Sequence, residues 1–262
     1  MRKNTFRELL KAGKPTLGTH LHSTWPSVVE AVGHTGMYDY IEFVAEYGPY
    51  DLYDFDNICR AAELHNLSSM IKLDQVPRQF FAQRAIGSGF QSCLFADVYT
   101  AEEAAECVRC VKPSSPEAGG THGVATRRIT YMGYGASEEY AQALDDIVIV
   151  LMIEKKSAVD NLEAILDVKG VDMIQWGPAD YSLNIGKPAA MRDPEIKAVE
   201  RQVIELALKK GVAPRAEINS FEDAPYYLDL GVRHFCVGTD IMILHNWFKQ
   251  HGAGLRKLFE EV

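Results

Sequence analysis

The chain has 262 residues, 27 Lys and Arg against 36 Asp and Glu, a formal net charge of -9, and 47% apolar residues. That length suits one large barrel or two small domains, with enough core to fold without disulfide staples. The acidic balance excludes two partner classes: nucleic acid, which needs clustered Lys and Arg, and an anionic membrane surface.

The first stretch, Met1 to Lys14, is charged and amphipathic and has no apolar centre of the kind an export signal carries. No apolar run reaches the length of about 18 residues that a membrane span requires. A cytoplasmic protein without membrane contact is expected. Five cysteines form no disulfide framework. The pair Cys107 and Cys110 has CxxC spacing but follows the helical pattern from Ala101 to Glu106, so helix cysteines are expected rather than a redox or zinc site.

In chain order, Pro15 to His22 reads as a strand, then Pro26 to His34 as a helix with proline in its first turn. Asp39–Ala45 is a strand, Asp54–His65 a helix, Ser68–Leu73 a strand and Pro77–Ala85 a helix. Gly89–Asp97 and Thr100–Val111 repeat the pair. Lys112 to Gly135, rich in Gly and Pro, reads as a loop, followed by a helix from Ser137 to Leu144. Asp146–Ile153 is a continuous apolar run, which suits a parallel strand buried on both faces. A helix Ser157–Asp167, a strand Val171–Trp176 and a Gly/Pro/Asp loop come next. The chain closes with a helix Asp193–Lys210, a strand Ala213–Ile218, a helix Ser220–Leu230, a strand Arg233–Val237 and a helix from Asp240 to Val262.

Eight strand-helix units without a linker predict one (β/α)8 barrel over residues 1–262. A doubly wound sheet is the other fold considered. It wants a glycine-rich turn after the first strand, and Leu21 to Trp25 is not one.

In a barrel, chemistry gathers at the C-terminal strand ends. Strand five ends in Glu154 and strand six runs into Trp176-Gly177-Pro178-Ala179-Asp180. A carboxylate closing an apolar strand is costly unless paired, and two at adjacent strand ends can share a divalent cation. The alternative pairs Glu154 with Lys155 or Lys156 and has Asp180 cap a turn with Ser182. His20 and His22 fall on the same side of strand one, where either could be a general base or a packed, hydrogen-bonded histidine. Histidine-only zinc binding finds no third ligand at short spacing. Lys72 is either a surface charge or an inward cation; its apolar flanks favour the inward reading, suited to a Schiff base or to steadying an enolate oxygen. His34, His65, His245 and His251 are expected on solvated helix faces.

The strings Met152-Ile-Glu154, Gly170-Val-Asp172 and Gly177-Pro-Ala-Asp180-Tyr-Ser182 resemble the HpcH/HpaI aldolase family, metal-dependent class II pyruvate aldolases. The likeness extends to Glu46-Tyr-Gly-Pro49, Ala101-Glu-Glu-Ala104 and Gly238-Thr-Asp240, and so spans nearly the whole chain. It implies a (β/α)8 barrel assembled as a trimer or hexamer and a divalent cation on Glu154 and Asp180. That cation would be magnesium or manganese, with cobalt and zinc as other fits. It further implies a pyruvate-like oxo acid held by backbone amides around Gly177 to Asp180, and aldol cleavage of a 4-hydroxy-2-oxo acid.

The sequence departs from the family at the base. The pattern Asp-x-Glu-His after strand two reads Val44-Ala-Glu46-Tyr47, and the family arginine of strand three is Lys72. Gly-x-Arg-Gly becomes Gly120-Thr-His122-Gly123. The changes imply a base moved to His22 or His20, with Lys72 keeping the positive charge and Tyr47 serving as a hydrogen-bond donor. Other readings are an oxo-acid decarboxylase, an enolate-condensing enzyme, or a metal and oxo-acid binder without turnover.

Overall fold

The computed structural model describes residues 2–124 and 133–261. Eight parallel strands close in sequence order into a barrel, as the (β/α)8 expectation requires. They are β1 (Thr16–Leu21), β2 (Tyr40–Val44), β3 (Ser68–Leu73), β4 (Ser92–Phe95), β5 (Val148–Ile153), β6 (Met173–Trp176), β7 (Ala213–Ile218) and β8 (His234–Thr239). The helices between them are α2 (Pro26–His34), α3 (Leu52–Leu64), α4 (Arg78–Ser88), α5 (Ala101–Val111) and α6 (Glu138–Asp145), then α7 (Lys156–Asp160) and α8 (Leu162–Leu166). After β6 come α9 (Pro178–Asn184), α10 (Pro194–Lys210), α11 (Ala224–Asp229) and α12 (Asp240–Phe259). The first helix, α1 (Thr5–Lys11), precedes β1.

Alternation along each strand divides the core in two. Outward side chains such as Ile41, Phe43, Ile71 and Ile149 join the helices in one large apolar layer. Inward side chains Tyr40, Met70, Leu94, Val148, Val150 and Met173 fill the lower barrel. The amphipathic N-terminus closes that end: Phe6, fully buried, stacks on Tyr40 at 4.5 Å. Gly18 makes room for this layer, since a Cβ there would lie 2.3 Å from the Tyr40 ring. Above it the inward positions turn polar (Lys72, Gln175, Arg215, His20 and Glu42), which places the chemistry at the C-terminal mouth.

Three helix readings change. The loop after β6 contains α9, begun by Pro178 at its first position. The helix read over Ser157–Asp167 divides at Asn161, whose side chain donates back to the Ser157 carbonyl. Ser220–Leu230 opens as a 3-10 turn, Phe221–Asp223, before α11. His34 and His65 are not simply solvated: their rings meet edge to face at 4.5 Å between α2 and α3. Residues 125–132 of the Lys112–Gly135 loop lie outside the described residues. All five cysteines are buried and none forms a disulfide, and burial pushes the Cys107 and Cys110 thiols up to about 12 and about 11, as unreactive helix cysteines should be. No helix of the described residues is long and apolar enough to cross a membrane.

Candidate active site

A cavity of about 340 Å³ opens at the strand ends, and His20, His22, Tyr47, Lys72, Glu154, Gly177 and Asp180 all border it. The strand-end rule therefore brings the sequence candidates to one place.

Glu154 closes β5 and is 3% exposed. Its Oε1 accepts the Asp97 backbone amide at 2.9 Å. That amide reaches it because Asp97 adopts a left-handed backbone, φ 52°, which Asp tolerates better than most residues. Burial raises the Glu154 pKa, the Lys72 ammonium and the Asp97 amide oppose the shift, and Asp180 adds to it. Asp180 lies in the first turn of α9. Neither Lys155 nor Lys156 pairs with Glu154. Lys155 instead bridges Asp97 at 2.7 Å and Asp180 at 3.0 Å, while Lys156 pairs with Asp160. Asp180 does not cap with Ser182, whose hydroxyl donates to the Ala179 carbonyl. Glu154 Oε2 and Asp180 Oδ2 have no hydrogen-bond partner among the described residues. Two carboxylates on one cavity, each with an oxygen to spare and with Asp180 adding to the cost of ionising Glu154, fit a divalent cation that takes oxygen ligands.

The turn into α9 limits which amides can meet an anion. The Gly177 N–H is used by the Ile153 carbonyl, and Pro178 has none, so Ala179 and Asp180 provide the unused first-turn donors. Gly177 is required by packing, because a Cβ would sit 2.6 Å from both Glu154 Cβ and Oε2. The Trp176 indole alternates outward against Tyr181, ring centroids 4.8 Å apart, so it meets the cavity as the last residue of β6 rather than as an inward ring.

Lys72 is buried and inward, with Nζ 2.6 Å from Glu46 and donating to the Tyr47 hydroxyl at 3.1 Å. Burial, the largest influence, favours the neutral amine, yet Tyr47, Glu46 and Glu154 together hold the pKa above the ordinary lysine value. Of the two roles left open for Lys72, a fixed positive charge fits this setting and a free amine does not. Burial, opposed chiefly by Lys72, also raises the Tyr47 pKa, which keeps the phenol a proton donor.

The two strand-one histidines part company. His20 is held between Glu42 at 3.0 Å and Glu217 at 3.3 Å. Burial opposes its charge, but Cys236, Glu42 and Glu217 raise its pKa well above the ordinary imidazole value. His22 lies higher and half buried, its ring edge-on to Tyr47 at 5.7 Å. Burial lowers its pKa against the pull of Asp240, leaving a neutral imidazole. Sequence reasoning weighed Lys155 only as a partner of Glu154, and it did not single out Asp97 or the Arg215 guanidinium, which binds Glu42, Gln175 and Tyr40 inside the barrel. The strand-end rule offered a signal for both, Asp97 as the last residue read into the fourth strand and Arg215 as a cation near the end of the seventh.

Residues 17–246 match the family model of HpcH/HpaI aldolase/citrate lyase. A hydroxypyruvate/pyruvate aldolase of Paraburkholderia phytofirmans is 27% identical over 91% of this chain and 92% of its own. A 4-hydroxy-2-oxo-heptane-1,7-dioate aldolase of Escherichia coli is 30% identical over 92% and 91% respectively. A crystal structure of an HpcH/HpaI aldolase/citrate lyase family protein from Burkholderia cenocepacia, 27% identical, superposes with a TM-score of 0.86 over 97% of this chain and 100% of that one. The chain belongs to the HpcH/HpaI aldolase/citrate lyase family and is a lyase of the aldolase type.

Proposed function

We propose that this chain reversibly cleaves a small 4-hydroxy-2-oxo acid to pyruvate and an aldehyde, with a divalent cation held by Glu154 and Asp180. The observation that carries this reading is the buried Glu154 carboxylate, made harder to ionise by burial and by Asp180, on the same cavity as the Lys72 ammonium. The cation, magnesium or manganese by its oxygen donors, supplies Lewis acidity toward the paired oxygens of an oxo acid.

The residues do the rest. The Ala179 and Asp180 amides receive the substrate carboxylate. Neutral His22 takes the proton of the 4-hydroxyl group. As that O–H bond opens, the C3–C4 bond breaks and an aldehyde carbonyl forms, and its electron pair passes to the pyruvate half. Lys72 places a fixed positive charge where negative charge then gathers on the oxo oxygen. Tyr47 fixes the Lys72 ammonium and offers a hydrogen bond. Charged His20 cannot accept a proton and serves as support. We place the enzyme in the cytoplasm, as one barrel domain per chain in a homo-oligomer, a trimer or hexamer, that acts on a pyruvate-like oxo acid.

Incubation of the protein with pyruvate and magnesium or manganese in heavy water, followed by proton NMR of the methyl group, tests the reading. Methyl exchange is expected, and Glu154→Ala should abolish it while circular dichroism stays unchanged. Absence of exchange with every divalent metal overturns the aldolase reading. Carbon dioxide release from oxaloacetate above the metal-only rate would then assign a decarboxylase.

A further inference from the structure

Beneath the proposed aldol site lies a second cluster that the cleavage reaction does not use. A ring nitrogen of His20 on β1, a carboxylate oxygen of Glu42 on β2 and the Cys236 thiol on β8 all lie within 4.8 Å of one another, and all three residues are buried. The three come from three adjacent strands that span the seam where the barrel closes. His20 Nε2 and Glu42 Oε1 are 3.0 Å apart. Yet each is buried without an aligned hydrogen bond. Buried polar atoms left in that state are costly unless something else engages them.

The surroundings orient these atoms as the outer shell of a metal site does. Glu217 Oε1 faces His20 Nδ1 at 3.3 Å and holds the Nδ1 proton, so Nε2 faces inward and becomes the metal-binding nitrogen once its own proton leaves. Gln175 donates to the other Glu217 oxygen at 3.0 Å and holds that carboxylate in place. Arg215 binds Glu42 Oε2 and leaves Oε1 facing the histidine. His20 also borders the cavity, which provides a path inward.

We propose that His20, Glu42 and Cys236 form a second divalent-metal site, of the nitrogen, oxygen and sulfur type that suits zinc. Binding forms metal–Nε2, metal–Oε1 and metal–Sγ bonds. The His20 Nε2 proton and the Cys236 thiol proton leave to solvent. Thiolate and carboxylate then balance the two positive charges of the ion, and Glu217 continues to offset Arg215. The site joins β2, β1 and β8 and is chemically distinct from the all-oxygen pair Glu154 and Asp180.

Cobalt(II) titration of the metal-free protein, read by absorption spectroscopy, separates the two sites, because only a thiolate ligand gives a sulfur-to-cobalt charge-transfer band in the near ultraviolet. The band is expected in the wild-type protein and in Glu154→Gln, and its loss is expected in Cys236→Ser and His20→Gln. Zinc X-ray absorption on the wild-type protein gives a readout that needs no variant, with one sulfur neighbour expected in the first shell. No charge-transfer band, a band that survives Cys236→Ser, or a first shell of oxygen alone overturns the proposal. These readouts require no turnover, so they stand or fall apart from the aldolase reading.

Discussion

His20 of β1 and His22 just past its end differ by two positions and by opposite electrostatic settings. His20 sits between two carboxylates and holds a proton, whereas His22 is partly desolvated and loses its own. A proton acceptor at neutral pH must be the second. Tyr47 stands where the family has histidine, but its raised pKa keeps it protonated. We therefore expect His22→Ala to slow cleavage of a 4-hydroxy-2-oxo acid by ~10²–10⁴-fold, and Tyr47→Phe to slow it far less. Steady-state kinetics on both variants check this, and the reverse ranking would refute the relocated base. The strand-end rule made Glu154, Lys72 and both histidines legible from the sequence alone. The Lys155 bridge between Asp97 and Asp180 was not legible, because it depends on the left-handed backbone of Asp97, and nothing in Phe95-Ala-Asp97 announces it.

At the scale of elements, the strands were easier to read than the helices. A strand buried on both faces, such as Val148–Ile153, leaves an unbroken apolar run, and its ends can be found to within a residue or two. Helices α7 and α8 share one pattern, and only the Asn161 side chain, bonding back to the turn before it, divides them. The loop after α5 shows a different limit. His122 stands where the family pattern has an arginine, but it is 3% exposed and does not border the strand-end cavity. Burial lowers its pKa from 6.5 to about 4, opposed by a backbone hydrogen bond at Cys110. The unfolded chain therefore binds a proton near pH 6 that the folded chain refuses. Stability from this group is complete above the unfolded value and is lost as pH falls from about 6.5 toward 4, by about 3 kcal/mol at most. His122→Gln should flatten the fall in melting temperature between pH 6.5 and 4, measured by thermal denaturation. An unchanged slope would show that the acid sensitivity lies elsewhere, and His234, also lowered to about 4 by burial and by Arg215, is the next group to test.

The whole molecule is asymmetric about its barrel. One end is sealed by α1, whose Phe6 and Asn4 tie it to Tyr40, Gln91 and Asp146, while the other end holds the cavity. The flank is unequal too. Along α12, a helix of 20 residues, only Asp240 is buried. Its carboxylate binds the amides of His22 and Ser23 and so fixes the end of β1 beside the cavity. Past that anchor, Ile243, Trp247, Phe248, Leu255 and Phe259 all stand exposed, with Trp247 at 58% and Phe248 at 62%. Large apolar side chains left exposed along one helix suit an interaction surface, and a homo-oligomer offers the same helix on every copy as its cover. Light scattering coupled to size exclusion should report a mass that is a multiple of 29.2 kDa, three or six chains by the family likeness. Trp247→Glu combined with Phe248→Glu should shift that mass downward while the barrel stays folded by circular dichroism. A wild-type protein that elutes as a single chain at micromolar concentration would remove the helix as an assembly surface. Because Asp240 joins α12 to the strand that bears His22, the dissociated variant should also lose cleavage activity, which links assembly to the base through one carboxylate.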